Sequence, residues 1–381
     1  MSILRYLPGR ARAPALLGLA AAVLVGSACQ GLTDSPRGGQ GVRLLWRTPL
    51  DRPDRGFHYP AGDAERSYAL LGGVVAYDAG TGKLAWRSPL SQYMPRNVVH
   101  RDGRVLTAET VAFAFDAATG RELWRFRPDS SADFAQSAVD DRAFYVGTRS
   151  RRVYALGLAD GRSLWSTDIG PDWPFGGIVS GISVSGDTVY ATAEKGYAAN
   201  NHIASGWIVA LDRSSGRVLW RYENGRGADL RNFISAPTVA GRLLLASDRK
   251  GNAVVAVDRF TGQEVWRVNG AAGYIGFTSP PVAVGDIVYA ASGDTHVYAI
   301  DLGSGRVQWK TALPGAVEAV TVCGDYVVAN FRGIAVLERQ SGKLLTKMYD
   351  SDDEFTTSGF AVGGRRVFVL GNKAAYALGC E

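Results

Sequence analysis

The sequence predicts an all-β protein, an eight-bladed β-propeller built of four-stranded antiparallel blades. Three observations predict it. One strand–turn–strand phrase recurs along the chain. Its tryptophans stand roughly 40 to 55 residues apart, the period of a propeller blade. The two ends of the chain hold complementary fragments of one further unit.

The phrase is an apolar strand ending Ala-x-Asp, then a small residue and glycine, then a strand carrying tryptophan. Clear copies are Ala76-Tyr77-Asp78…Thr81-Gly82…Trp86, Ala114-Phe115-Asp116…Thr119-Gly120…Trp124 and Ala210-Leu211-Asp212…Ser215-Gly216…Trp220. Two more run Ala256-Val257-Asp258…Thr261-Gly262…Trp266 and Ala299-Ile300-Asp301…Ser304-Gly305…Trp309. Degenerate copies are Tyr154-Ala155-Leu156…Asp160-Gly161…Trp165 and Ala335-Val336-Leu337…Ser341-Gly342…Thr346. Alternating apolar residues make a half-buried strand. The Asp side chain bonds backbone amides two residues on, and glycine supplies the positive φ of the hairpin loop. Tryptophan then offers a large rigid surface to the next sheet.

Two further strands precede each hairpin, as in Pro280-Pro281-Val282-Ala283-Val284, a turn at Gly285-Asp286, and Ile287–Ala291, so each unit has four strands. At the start, Val42-Arg43-Leu44-Leu45-Trp46-Arg47 is a tryptophan strand with nothing before it. At the finish, Arg366–Leu370 and Ala374–Gly379 lack a tryptophan strand after them. Joining the two completes the eighth blade and removes exposed sheet edges, which a linear solenoid would leave at both ends.

Composition agrees. Hydrophobic residues make up 46% of the 381, and 47 glycines against 3 methionines favour tight turns over long helices. The formal charge is +6, and without Arg5, Arg10 and Arg12 of the leader it is about +3, too little to argue for nucleic acid.

Residues 1–28 have the order of a secretory signal: a basic start, the apolar run Ala15–Val25, and Gly26-Ser27-Ala28 before Cys29. The run is about eleven residues, too short to span a bilayer. The Gly-Ser-Ala-Cys junction resembles the lipobox of bacterial lipoproteins, whose cysteine is lipidated, although Gly26 stands where that box usually has leucine. The resemblance implies lipidation of Cys29, with ordinary cleavage as the other reading. Gln30 is not the acidic retention residue of some inner-membrane lipoproteins, which favours an outer-membrane address. Residues 29–41 read as a flexible Gly-rich tether and 42–381 as the propeller. The remaining cysteines, Cys323 and Cys380, fall near one rim of adjacent blades; a disulfide and two buried thiols are both open.

The phrase is similar to the repeat of the pyrroloquinoline-quinone (PQQ) propeller superfamily, and the resemblance covers residues 42–381. Within it, the lipoprotein signal, single propeller and length resemble the BamB family of the outer-membrane β-barrel assembly machinery. That resemblance implies a non-catalytic, lipid-anchored scaffold, a monomer that binds a β-barrel insertase. It also implies a partner loop at Asp229–Pro237, with Leu230 and Arg231 as the contact residues, though only one leucine precedes the arginine here. An apolar anchor beside an arginine suits an interface. An ordinary surface loop is the other reading.

No His-Glu-x-x-His, Gly-x-Ser-x-Gly or phosphate-loop motif occurs, and His58, His100, His202 and His296 lack metal-ligand spacing. No catalytic or metal-binding residue is expected. The enzymatic alternative is a PQQ-dependent oxidoreductase with calcium; the adjacent cysteine pair common in those enzymes is missing. A third reading is an extracytoplasmic ligand-binding module. Trp173 and Phe175, Asn200 and Asn201 in the long segment Glu194–Gly206, and Tyr274 and Phe277 fall on one propeller face. They are expected to build a protein-binding rim rather than a ligand pocket, because no ionisable cluster accompanies them.

Overall fold

A computed structural model describes residues 32–33, 41–51, 59–88, 97–128, 135–173, 177–196, 203–224, 232–274, 276–353, 355 and 359–380. Within them every regular element is a strand, and the strands form eight antiparallel sheets, the expected blades. Blade 1 comprises Ala61–Gly62, Arg66–Leu70, Val74–Asp78 and Leu84–Arg87, and blade 2 Val98–Arg101, Arg104–Ala108, Ala112–Asp116 and Glu122–Phe126. Blade 3 comprises Ala138–Val139, Ala143–Gly147, Arg152–Gly157 and Ser163–Asp168. Blade 4 has the long strands Gly177–Ser185, Thr188–Gly196, Ile203–Asp212 and Val218–Asn224. Blade 5 runs Thr238–Ala240, Leu243–Asp248, Ala253–Asp258 and Glu264–Asn269, and blade 6 Val282–Val284, Ile287–Ala291, His296–Asp301 and Val307–Ala312. Blade 7 has Ala319–Cys323, Tyr326–Asn330, Ile334–Glu338 and Leu344–Asp350. Blade 8 has Phe360–Gly363, Arg366–Leu370 and Ala374–Cys380, and takes its outermost strand, Val42–Pro49, from the N-terminal side. That strand runs from Val42 opposite Cys380 to Pro49 opposite Ala374, which closes the ring as predicted.

The core is not central. It lies in eight apolar clusters, one between each pair of neighbouring blades, such as Tyr68, Leu70 and Trp86 of blade 1 against Val105, Phe113 and Phe115 of blade 2. At seven joints the phrase acts as a clasp. The Trp Nε1 of one blade donates to the carbonyl just after the Asp position of the next, from Trp46 to Ala79 through Trp309 to Arg339, at 2.8–3.3 Å. The ring also lies on the next hairpin's glycine: a Cβ built on Gly120 would sit 2.5 Å from Trp86 Cε3. In that hairpin the Asp116 carboxylate accepts from the amides of Ala118 and Thr119 and from the Thr119 hydroxyl. In blade 4 the Ser214 and Ser215 hydroxyls, with both amides, hold the Asp212 carboxyl down at about 2.

The joint between blades 7 and 8 is different. Thr346 pairs with Val336 at the register where Trp220 pairs with Ala210, so the tryptophan is missing. Cys380 occupies the place of the accepting residue: its amide bonds Arg365 O, as Ala79 N bonds Glu65 O and Ala117 N bonds Gly103 O. A disulfide joins Cys380 to Cys323 of blade 7, with Cα atoms 5.9 Å apart, so of the two open cysteine states the bridge is the one formed. The cross-link stands where the other joints have a tryptophan clasp.

Polar bonds add to this joint. Arg47 Nε of blade 8 donates to Asp350 Oδ2 of blade 7 at 2.7 Å, and the Tyr376 hydroxyl lies 2.7 Å from Asp350 Oδ2 and 2.8 Å from Asp353 Oδ2. Burial and these carboxylates push the Tyr376 hydroxyl up, which keeps it a donor. Burial opposes the Asp350 charge, but Tyr376, the Asp352 amide and Arg47 together hold the carboxyl below the usual range. A depressed carboxyl stabilises the fold above its unfolded value, about 4, and that contribution is lost as pH falls through the folded value. Asp350→Asn is therefore expected to cost about 2–4 kcal/mol at neutral pH. The gap from wild type should narrow below about pH 4 in urea melts run as a pH series. A gap constant with pH would contradict the ion-pair account.

Candidate functional site: the loop face of blades 4 and 5

The first three strands of blade 4, nine, nine and ten residues long, are the longest among the described residues. In the described parts of the long segment expected there, Glu194 pairs with Gly206, Lys195 with Ser205 and Gly196 with Ile203. Asn200 and Asn201 lie outside the described residues.

The aromatic rim expected on this face is corrected by burial. Trp173 is buried in the core between blades 3 and 4, its ring centroid 5.5 Å from that of Trp207. Its ring fills the space left by Gly170 and Gly177, where an added Cβ would fall 2.3 and 2.5 Å from its atoms. Arg151 donates to its carbonyl at 2.8 Å. Phe277 is also fully buried, edge-on to Tyr298 at 5.4 Å, and bridges Ser292 as Phe233 bridges Asp248 one blade earlier. The shared Phe-x-Ser of Phe233–Ser235 and Phe277–Ser279 was the sequence signal for this plug role. Of the six expected rim residues, Tyr274 is exposed, at 55%; Phe175 lies outside the described residues with the two asparagines.

Leu230 and Arg231 also lie outside the described residues, but both flanks of their segment are described. Asn224 and Asn232 are buried, and one buried carboxylate ties them together. Asp248 Oδ2 accepts from Asn224 Nδ2 at 2.8 Å, and Asp248 Oδ1 from Asn232 N at 3.2 Å and Gly251 N at 2.7 Å. Arg267 donates to Asn224 Oδ1 at 2.9 Å and brings its charge to 3.8 Å from Asp248. Asn232 Nδ2 reaches Glu194 Oε1 at 3.2 Å, linking the segment to the blade 4 hairpin. Sequence reading missed Asp248, because a strand-end Asp looks like any turn residue. Asp248→Ala is expected to cost about 3–5 kcal/mol, since it removes the acceptor of Asn224 Nδ2 and of the Asn232 and Gly251 amides and the carboxylate that faces Arg267. It should also speed amide exchange at Asn224 and Asn232 well beyond that at Asn330; equal changes at all three would refute the staple.

Among the described residues, no three His, Cys, Asp or Glu side chains come together to hold a metal ion.

The sequence matches, over residues 39–206 and 107–343, the family described as outer membrane protein assembly factor BamB. The chain belongs to that family. A BamB of Yersinia pestis is 26% identical over 257 residues, 62% of this chain and 61% of the relative, so the match spans about three fifths of that protein. A quinoprotein ethanol dehydrogenase of Pseudomonas putida is also 26% identical, over 53% of this chain and 31% of its own length. The BamB crystal structure from Moraxella catarrhalis superposes with a TM-score of 0.69 at 19% identity, covering 89% of this chain and 97% of that one, a likeness of fold. BamB proteins and a quinone-dependent enzyme are thus similar to this chain at equal identity, as expected of one propeller frame hosting different roles.

Proposed function

We propose that the protein is a lipid-anchored scaffold of the cell envelope that binds a β-barrel insertase in outer-membrane protein assembly and performs no bond chemistry. The observation that carries this reading is the segment between Asn224 and Asn232, fastened at both ends by Asp248 and presented from a frame of fixed blades. Holding both flanks of a segment fixed lowers the ordering cost of binding through it. Membership in the BamB family supports the partner class. The Cys323–Cys380 bridge supports an oxidising compartment outside the cytoplasm.

The test is crosslinked co-purification of the tagged chain from membranes. Recovery of the insertase is expected with wild type and a many-fold loss with Leu230→Asp plus Arg231→Glu at unchanged protein level. Wild-type recovery without an insertase would reject the reading.

A further inference from the structure

The outermost strands form the wall of the ring, and their charge is unevenly shared. On blades 2 to 5 they carry Glu122, Asp168, Glu223 and Glu264 beside Arg125, Arg221 and Arg267. On blades 6, 7, 8 and 1 they carry Lys310, Lys347, Arg43, Arg47 and Arg87, with Asp350 as their one acid. Asp350 is buried and already bonded to Arg47 and Tyr376, so it presents no charge to solvent. Arg87 also meets Asp51 at 2.8 Å. Exposed apolar side chains stand on both halves, Val307 and Leu345 on blades 6 and 7 and Leu164, Leu219 and Val265 on blades 3 to 5, so it is charge that distinguishes the two.

The chain enters at the centre of the same half. Leu32–Thr33 pair antiparallel with Asp350 and Tyr349, adding a short fifth strand to the outer edge of blade 7. Cys29 precedes Leu32 by three residues, and three residues span at most about 11 Å in any conformation. A lipid on Cys29 therefore fixes the outer edge of blade 7 near the headgroup layer. Attraction between surface charges decays over about 8 Å at physiological salt, a length comparable with this tether's reach, so the tethered wall is the one that feels headgroup charge most.

We propose that the wall of blades 6, 7, 8 and 1, centred on blade 7, lies against an anionic lipid surface. The inference rests on the anchor reading given under the proposed function. It orients the ring: blades 2 to 5, with the segment fastened by Asp248 at blades 4 and 5, are turned away from the bilayer toward protein partners.

The test compares two positions of equal exposure on opposite walls, Leu345 of blade 7 and Leu164 of blade 3, each 44% exposed. Full-length protein purified from membranes, carrying Leu345→Cys or Leu164→Cys with an environment-sensitive fluorophore, is placed in vesicles with or without phosphatidylglycerol. In phosphatidylglycerol vesicles the probe at Leu345→Cys is expected to be several-fold less quenched by acrylamide than the probe at Leu164→Cys. Pure phosphatidylcholine, or Lys310→Glu plus Lys347→Glu in a chain of unchanged melting temperature, should remove that difference. Equal quenching at the two positions in phosphatidylglycerol vesicles overturns the proposal. The intact mass of the same preparation reads the anchor separately. A lipidated Cys29 with equal quenching rejects the wall and keeps the anchor; an unlipidated Cys29 with a shielded blade 7 rejects the anchor and keeps the wall.

Discussion

Replacing both Cys323 and Cys380 by alanine is expected to lower the free energy of unfolding by about 4 kcal/mol, the loop entropy of a cross-link spanning 57 residues. The loss should be large because the bridge serves the joint between blades 7 and 8, where the clasp of the other seven is absent and Thr346 stands for tryptophan. Blade 8 is also where the N-terminal strand Val42–Pro49 seals the ring, so opening there frees two neighbouring edges at once. Denaturant melts of wild type, oxidised and with reductant, against the double variant measure it. A difference below about 1 kcal/mol would mean that Arg47, Asp350 and Tyr376 hold the joint without the bridge.

Gly120→Ala is expected to cost about 2–5 kcal/mol. Gly120 has φ of +73°, a left-handed conformation that costs a residue with a Cβ about 1–3 kcal/mol. The added methyl must also displace the Trp86 ring, 2.5 Å away, which costs a similar amount again. Gly103 offers an internal control. It has φ of +68° but open space within 4 Å of where its Cβ would stand, so Gly103→Ala should pay the backbone part alone. Thermal melts of the pair separate strain from stacking. Equal losses would show that the ring gives way freely and that the clasp contributes little.

These two predictions show why the fold could be read from the sequence and much of the site could not. The hairpin is local chemistry: Asp116, Thr119 and Gly120 sit within five residues, and their spacing dictates the turn before any tertiary contact exists. Closure followed from counting strands, because Trp46 had no blade of its own. Two of the expected rim aromatics are buried for a tertiary reason. Trp173 is drawn inward by the room that Gly170 and Gly177 leave, and Phe277 by a gap between blades 5 and 6; neither gap has a sequence signature at the aromatic itself. Asp248 was overlooked for the same reason, since its partners Asn224, Asn232 and Arg267 lie 16 to 24 residues away, two of them on other strands. The disulfide was half legible. Cys380 falls at the Asp-plus-one place of the repeat, but pairing it with Cys323 needed the adjacency of blades 7 and 8.

A propeller that holds both flanks of residues 225–231 through Asp248 is expected to bind its protein partner there. Titration calorimetry between the purified chain and the periplasmic part of the source organism's β-barrel insertase tests it most directly. Saturable one-to-one binding is expected, with a Kd of about 1 μM or tighter, weakened at least about tenfold by Leu230→Asp plus Arg231→Glu. No heat of binding with folded partners, or an affinity indifferent to those two substitutions, would contradict it.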